Sequence, residues 1–250
     1  MLSFNHVRFR YEPYPIGSAS TVFEERFYRQ LVASFPPVEL FSFMPLHGNK
    51  YSLSEVNNPD KYHDYVRANA PWREFHQWLK RPEFPGEVLE MLRQQKIDLY
   101  VPSRTNGSAP EGSRLKRLLR GDSGSNAPVL NARFEFSMLP ANGGFIRPHT
   151  DSPHKIITLV VAMLNEGEWN PEFGGGTEVL RPRDITKNYN FKNEYLEFDE
   201  VETLSTFDYL PNHCVIFIKT FNSLHAVRPM KAPAGGLMRK TLTVNIEKVL

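Results

Sequence analysis

Cysteine is almost missing: among 250 residues only Cys214 carries a thiol, so no disulfide can form within the chain, and a reducing compartment, the cytoplasm, is expected. Its place in the apolar run CVIFI marks a buried structural thiol rather than a nucleophile. An excess of charge is missing as well. Thirty Lys plus Arg against 28 Asp plus Glu leave +2, far from the basic field that sequence-independent nucleic-acid binding requires, and no nucleic-acid partner is expected. Long apolar runs are absent too. The longest, Ile156 to Leu164, is interrupted by Thr158 and is about half of what a bilayer-spanning helix needs, so no membrane partner is expected. The opening MLSFNHVRFRYEP has early charges and no apolar stretch leading to a small-residue cleavage site, so no secretory signal is read there.

What is present is ordinary globular chemistry: 40% hydrophobic, 12% aromatic and 23% charged residues, too apolar for a disordered chain. The length suits one compact unit. Within it the character changes near residue 130. Residues 1–129 read as a helical support region of the same unit. Thr21 with Glu24 forms a capping box ahead of Val22, Phe23, Phe27, Leu31 and Val32, and Pro36 and Pro37 stop that helix. A second helix starts at Pro71 and carries Trp72, Phe75, Trp78 and Leu79; a third follows Pro85 with Val88, Leu89, Met91 and Leu92. Residues 103–128 turn to Ser, Gly, Asn and Pro around RLKRLLR, which reads as a mobile surface loop and a candidate lid.

From 130 to 250 the signals are those of strands. Leu130 to Leu139, Ile156 to Leu164, Thr177 to Leu180, Cys214 to Lys219, His225 to Arg228 and Lys240 to Val249 are short β-rich stretches punctuated by Gly, Pro and Asn, a spacing that suits a sandwich or jelly roll. Arg181 to Ser205, basic first and acidic later, reads as an insertion between strands.

Within that half, Arg147-Pro148-His149-Thr150-Asp151 holds an HxD pair. On an extended strand, side chains at i and i+2 share a face, so His149 and Asp151 converge on one ion while Thr150 points away. His225, in SLHAVRP, offers a second imidazole from a late strand. Two imidazoles and one carboxylate with the remaining positions open form the donor set of non-haem Fe(II) oxygenases. In the last strand, RKTLTVNIEKV, alternation puts Arg239, Thr241, Thr243 and Asn245 on one face and Leu242, Val244 and Ile246 on the other. A polar face of this kind makes sense lining a cavity that holds an anion, because a guanidinium grips a carboxylate through two parallel hydrogen bonds. The apolar face then packs on the N-terminal helices.

Together, HTD at 149–151, LNEGEWNPEFGGG at 164–176, SLHAVRP at 223–229 and RKTLTVNIE at 239–247 resemble the Fe(II)/2-oxoglutarate-dependent dioxygenases, in their prolyl 4-hydroxylase-like branch. The resemblance covers about half of the chain, and the ordering of the pieces is more specific than any one of them. It implies a mainly β fold with α: a double-stranded β-helix (jelly-roll) core with the N-terminal helices packed on one side. It implies His149, Asp151 and His225 as ligands of Fe(II), and Arg239 as the group holding the distal carboxylate of 2-oxoglutarate. Gly174 to Gly176 with Thr177 correspond to the family's glycine turn. The implied activity is hydroxylation of an organic substrate by O2, a prolyl or other peptidyl side chain, with release of succinate and CO2. A saccharide or small metabolite would use the same machinery. Family members often place tyrosines around the 2-oxoglutarate carboxylate, but the strands concerned read FSMLP and VVAML. Ser137, Thr158 or Thr243 then supplies the hydroxyl, and Thr243 is taken as the cofactor-binding choice.

Rival readings are a cupin-type metalloprotein, which has no need of Arg239, and a non-catalytic jelly-roll binding module. His154 reads as part of the loop leaving the site and His213 as a satisfied turn histidine. Arg147, Asn131, Arg133 and Glu135 are candidates for the mouth, and Trp169 for the entrance.

Overall fold

The computed structural model describes residues 1–100 and 129–249; the loop expected at 103–128 lies outside them. Twelve strands form two antiparallel sheets. In the larger sheet β1 (Val7–Arg10), β2 (Ile16–Ala19), β10 (Cys214–Ile218), β7 (Lys155–Ala162), β12 (Met238–Lys248), β5 (Leu130–Pro140), β4 (Lys50–Ser54) and β3 (Ser42–Met44) lie side by side in that order. The smaller sheet runs β6 (Ile146–His149), β11 (His225–Val227), β8 (Thr177–Pro182), β9 (Val201–Phe207). The crossing connections between two facing sheets make this the expected double-stranded β-helix, mainly β with a few helices.

β12 is the spine. It pairs along its whole length with β5, Met238 opposite Pro140 through Lys248 opposite Leu130, and on its other edge with β7. Its alternation is as expected. Leu242, Val244 and Ile246 are fully buried on the face that meets the helices. The helices are α1 (Glu25–Ala33), α2 (Pro59–Ala68), α3 (Ala70–Leu79) and α4 (Phe84–Gln94). Their apolar stripes close over the large sheet. Trp72 meets Phe136 edge-on at 4.6 Å, and Phe75 meets Phe134 at 5.2 Å. Each fully buried aromatic of this kind contributes about 1.5–3 kcal/mol by area alone, so this layer carries much of the stability.

Several local expectations are corrected. Thr21 is not the cap of α1: its backbone is left-handed (φ 52°), and Glu24 caps instead, its carboxylate accepting from the N–H groups of Arg26 and Phe27 at 3.0 Å each. The purely helical reading of the N-terminal stretch missed β1 to β4, which extend the large sheet at both edges, and it missed α2. The polar interval taken as an insertion ends in a strand, β9, that pairs with β8. No described helix is long and apolar enough to cross a membrane, and Cys214 is buried and unpaired with another thiol, as expected.

One histidine of the helical layer sets a pH dependence. His76 sits near Tyr62 and Phe134 with its Nε2 buried and without a hydrogen-bond partner. Burial, helped by Lys80, holds its pKa below the usual 6.5. The unfolded chain therefore takes up this proton first as the pH drops through 6.5, and stability falls on acidification. Urea unfolding at pH 7.5 and 5.5 is expected to show a smaller acid-induced loss in His76→Gln than in the wild type; equal losses would rule out this origin.

Candidate functional site

The site lies between the two sheets. β11 pairs with β6 in a register that sets His225 directly opposite His149, so the two imidazoles leave the same face of the small sheet with ring centroids 4.3 Å apart. Each ring is oriented by a backbone carbonyl: Nδ1 of His149 lies 2.9 Å from the Arg147 carbonyl oxygen, and Nδ1 of His225 lies 2.9 Å from that of Ser223. A carbonyl only accepts, so Nδ1 carries a hydrogen in both rings, which leaves Nε2 as the atom turned to the site. Burial, and then the neighbouring His149, push the pKa of His225 down to about 3, which keeps its imidazole neutral.

Asp151 completes the set, though not by the strand alternation expected. β6 ends at His149, and Asp151 takes a left-handed backbone (φ 70°) that swings its carboxylate back, with Oδ1 3.7 Å from His149 Nε2. The turn is held from several sides. Asn193 Oδ1 accepts from the Thr150 N–H at 3.0 Å, and the Thr150 hydroxyl donates to the Asn190 carbonyl at 2.6 Å. The Lys219 ammonium donates to both the Thr150 hydroxyl and the Asp151 carbonyl at 2.8 Å. One donor atom from each of His149, Asp151 and His225 falls within 4.8 Å of the others.

Burial by itself would raise the Asp151 pKa, but Lys155, His149 and His225 hold it well below the ordinary carboxylate range. Lys155 donates to Oδ1 at 2.8 Å and the Thr158 hydroxyl to Oδ2 at 3.0 Å. Two imidazoles oriented through Nδ1 and one ionised carboxylate are a donor set suited to a divalent transition metal, with iron the fit for this combination. Thr158, expected near 2-oxoglutarate, thus touches the metal-binding carboxylate instead. Behind it, Asn245 Oδ1 lies 3.3 Å from the same hydroxyl; one hydrogen cannot serve both, and the carboxylate is the stronger acceptor.

The large sheet supplies the opposite wall. Arg239 is 6% exposed and yet pairs with no carboxylate of the described residues. Its Nε donates to the Gly175 carbonyl at 2.6 Å, and its guanidinium lies 4.8 Å from the centre of the Tyr209 ring. Burial lowers its pKa. The glycine turn is needed here: Gly175 has φ +85°, and a side chain on it would meet the Trp169 ring at 3.0 Å and the Met230 sulfur at 3.1 Å. Arg239, His149, Asp151, His225, Ser137, Thr158, Thr241 and Thr243 all line one cavity of about 120 Å3. Lys240 points elsewhere, towards Glu168 at 3.7 Å.

The remaining candidates separate. Arg147 lines an outer chamber of about 320 Å3 that shares Lys50, Ile146 and His149 with the inner cavity. Glu135 lines the inner cavity, Arg133 is committed to Glu247 at 2.7 Å, and Asn131 is exposed. Trp169 is not at the outer chamber; it packs on Tyr209 behind Arg239, with Nε1 donating to the Gly174 carbonyl at 2.9 Å. His154 is exposed. His213 is not satisfied: its Nδ1 is buried without a partner, and burial lowers its pKa. Tyr209, Lys50, Lys155 and Tyr195 were not found from sequence. They come from a loop, the N-terminal region and a strand edge, and carry no local pattern.

No family model matches the chain, and no curated protein does. Among solved structures, similar ones include a prolyl-4-hydroxylase from Pseudomonas putida (15% identity, 94% of this chain and 92% of that one, TM-score 0.45). Another is a viral collagen prolyl hydroxylase from Paramecium bursaria Chlorella virus-1 in a 2-oxoglutarate complex (10% identity, 94% and 96%, TM-score 0.46). A third is a protein described as IDO from Bacillus thuringiensis (11% identity, 94% and 93%, TM-score 0.49). At such identities and scores the functional reading rests on the chain's own site.

Removing the Thr158 hydroxyl while keeping the side chain's shape tests the metal assignment without touching a ligand. Thr158→Val is expected to weaken Fe(II) or Mn(II) binding by about 10–100-fold, the usual effect of losing a hydrogen bond to a ligating group. Isothermal titration would show it, and unchanged affinity would mean that Asp151 does not ligate through this arrangement.

Proposed function

We propose that this protein is an Fe(II)- and 2-oxoglutarate-dependent oxygenase that hydroxylates an organic substrate. One observation carries the reading: a His-Asp-His donor set and a buried guanidinium with no anionic partner among the described residues line a single small cavity. Burying a cation costs several kcal/mol unless something offsets it. Among the described residues Arg239 gains only one carbonyl and one aromatic ring. A dicarboxylic acid lying between the metal donors and Arg239 supplies the missing charge. The cavity, at about 120 Å3, is well below the roughly 300–1,000 Å3 of pockets for larger ligands, which suits a small co-substrate.

Iron, with 2-oxoglutarate and O2, would supply the oxidative decarboxylation that yields succinate and CO2 and the oxidising power for hydroxylation. The chain's own work is placement. His149, Asp151 and His225 would hold the metal, and three protein donors would leave room for co-substrates. Arg239 binds the distal carboxylate, and the Gly175 carbonyl and Tyr209 ring fix the direction of its fork. Thr243, with Thr241 and Ser137, offers hydroxyls along the wall between them. Phe217, stacked 4.0 Å from the His225 ring, keeps water from the back of that ligand. A prolyl or peptidyl side chain is a substrate that the sequence resemblance implies, and a saccharide or small metabolite would use the same machinery; the lone buried thiol fits the cytoplasm as the compartment. Residues 1–129 serve as the support region of the same compact unit as the 130–250 core. A cupin-type metalloprotein leaves the burial of Arg239 without a reason.

The test is anaerobic loading with Fe(II), then succinate formed from 2-oxoglutarate on admitting O2. The wild type is expected to turn over slowly without its substrate, His149→Ala to lose turnover, and Arg239→Met to need at least about tenfold more 2-oxoglutarate, as expected for loss of a charge-assisted pair. Iron binding with no consumption of 2-oxoglutarate would favour the cupin-type reading.

A further inference from the structure

The outer chamber has its own chemistry. It is walled by Leu46, His47, Lys50, Ile146, Arg147, His149 and Tyr195, and the three residues that it shares with the inner cavity, Lys50, Ile146 and His149, mark the boundary between the two, here called the throat. Two cations and two histidines line it, and no carboxylate among the described residues does. Tyr195 lies almost parallel to the His149 ring at 5.9 Å, with the Arg147 guanidinium 5.9 Å from its centre, so an aromatic face and a cation stand side by side next to a metal-binding residue. His47 approaches the same ring at 6.5 Å.

Neither cation is fully committed. Arg147 pairs with Glu197, but the two side chains are 38% and 56% exposed, and such pairs are weak and screened. Lys50 donates to Glu135 at 2.8 Å. Glu135, however, is also served by Arg133 at 3.8 Å and by the charge of Lys155. It stays compensated if Lys50 turns outward, and an ammonium has three donors to share.

We propose that the outer chamber is the substrate subsite and recognises an organic anion, its carboxylate, phosphate or sulfate group held by Lys50 and Arg147 and its carbon skeleton laid against Tyr195 and Ile146. Calling the bound molecule a substrate rests on the oxygenase reading; the anion site itself does not. The class of group matters because Arg147 offers a planar fork, suited to carboxylate and phosphate alike, while Lys50 acts as a point charge at the throat. With the anion anchored there, a carbon beside the anionic group sits at the throat next to His149.

The experiment uses the full chain loaded with Mn(II) and 2-oxoglutarate under nitrogen, where no turnover occurs, with phenyl phosphate, phenylacetate and the neutral phenylacetamide as probes, read by ligand-observed NMR and calorimetry. Both anions are expected to bind at least about tenfold more tightly than the amide. Arg147→Gln, at an exposed position, and Lys50→Met are each expected to remove most of that preference, and Tyr195→Ala to weaken all three probes. Which anion binds more tightly identifies the preferred group. Equal binding of amide and anions, anion binding unaffected by Arg147→Gln, or no anion binding at about 10 mM probe would each overturn the inference. Succinate formation in the wild type is measured separately. Anion selectivity without succinate would sink the oxygenase reading and keep the anion site; succinate without anion selectivity would do the reverse.

Discussion

The pairing of β6 with β11 sets His149 opposite His225, and the site depends on that register. Strand side chains alternate with a period of two, so a slip of one residue would send one imidazole to the far face and leave no donor set. With the register in place, the carbonyls of Arg147 and Ser223 orient both rings through Nδ1, and the rings face inward. Asp151 can join them only by leaving the strand in a left-handed conformation, one that aspartate tolerates better than most residues. Asn190 and Asn193, from the interval after β8, and Lys219, at the end of β10, hold that turn. The polar segment that looked like a plain insertion is thus the buttress of the metal-binding turn.

A second constraint is electrostatic. The cavity face of the large sheet carries Arg133, Glu135, Lys155, Arg239 and Asn245 at positions where a simple sandwich would place apolar residues. Buried ions are tolerated when each has a partner, and here most do: Arg133 meets Glu247 through two hydrogen bonds, at 2.8 and 2.7 Å, and Lys155 meets Asp151. Burial would raise the pKa of Glu135, but Lys50 and Lys155 hold it below the ordinary range, so it stays charged. Arg239 stands outside this pattern of pairs. The opposite face of the same strands, with Leu242, Val244, Ile246 and the aromatic layer around Trp72, supplies the apolar burial that offsets a polar interior. One sheet therefore keeps stability on its helical face and chemistry on the other.

Much of this was legible in sequence because it is local. The strands β5, β7, β8, β10, β11 and β12 appear within two residues of their expected bounds, since β-branched runs closed by glycine, proline or asparagine mark themselves. Arg239 was legible through alternation along β12. The first four strands were not: they have three to five residues each, too few to show a period, and pairing with a distant partner decides them. Tyr209 was missed for a related reason. It lies in the loop after β9 and reaches Arg239 only because its hydroxyl bridges the Lys240 backbone, donating to the carbonyl at 2.7 Å and accepting from the N–H at 2.9 Å. No spacing in the chain announces such a contact. The cap at Glu24 rather than Thr21 shows the limit of a capping box read without backbone angles.

The two chambers share the strand β6 and Lys50 and differ in their remaining walls. The inner cavity takes one wall from β5, β7 and β12, whose long registers leave little freedom to it, and the rest from β6, β8, β10, β11 and Lys50 of β4. The outer one takes Ile146, Arg147 and His149 from β6, Lys50 from β4, Leu46 and His47 from the segment before it, and Tyr195 from the interval between β8 and β9. Of these, Leu46, His47 and Tyr195 lie outside the strands and can change without disturbing the ladder that holds His149, His225 and Arg239. Recognition placed on such peripheral elements, around chemistry fixed in the sheets, is how one fold comes to serve many substrates. Lys50 lines both chambers, so its ammonium contributes positive potential to each, and a change at this one residue alters the electrostatics of both.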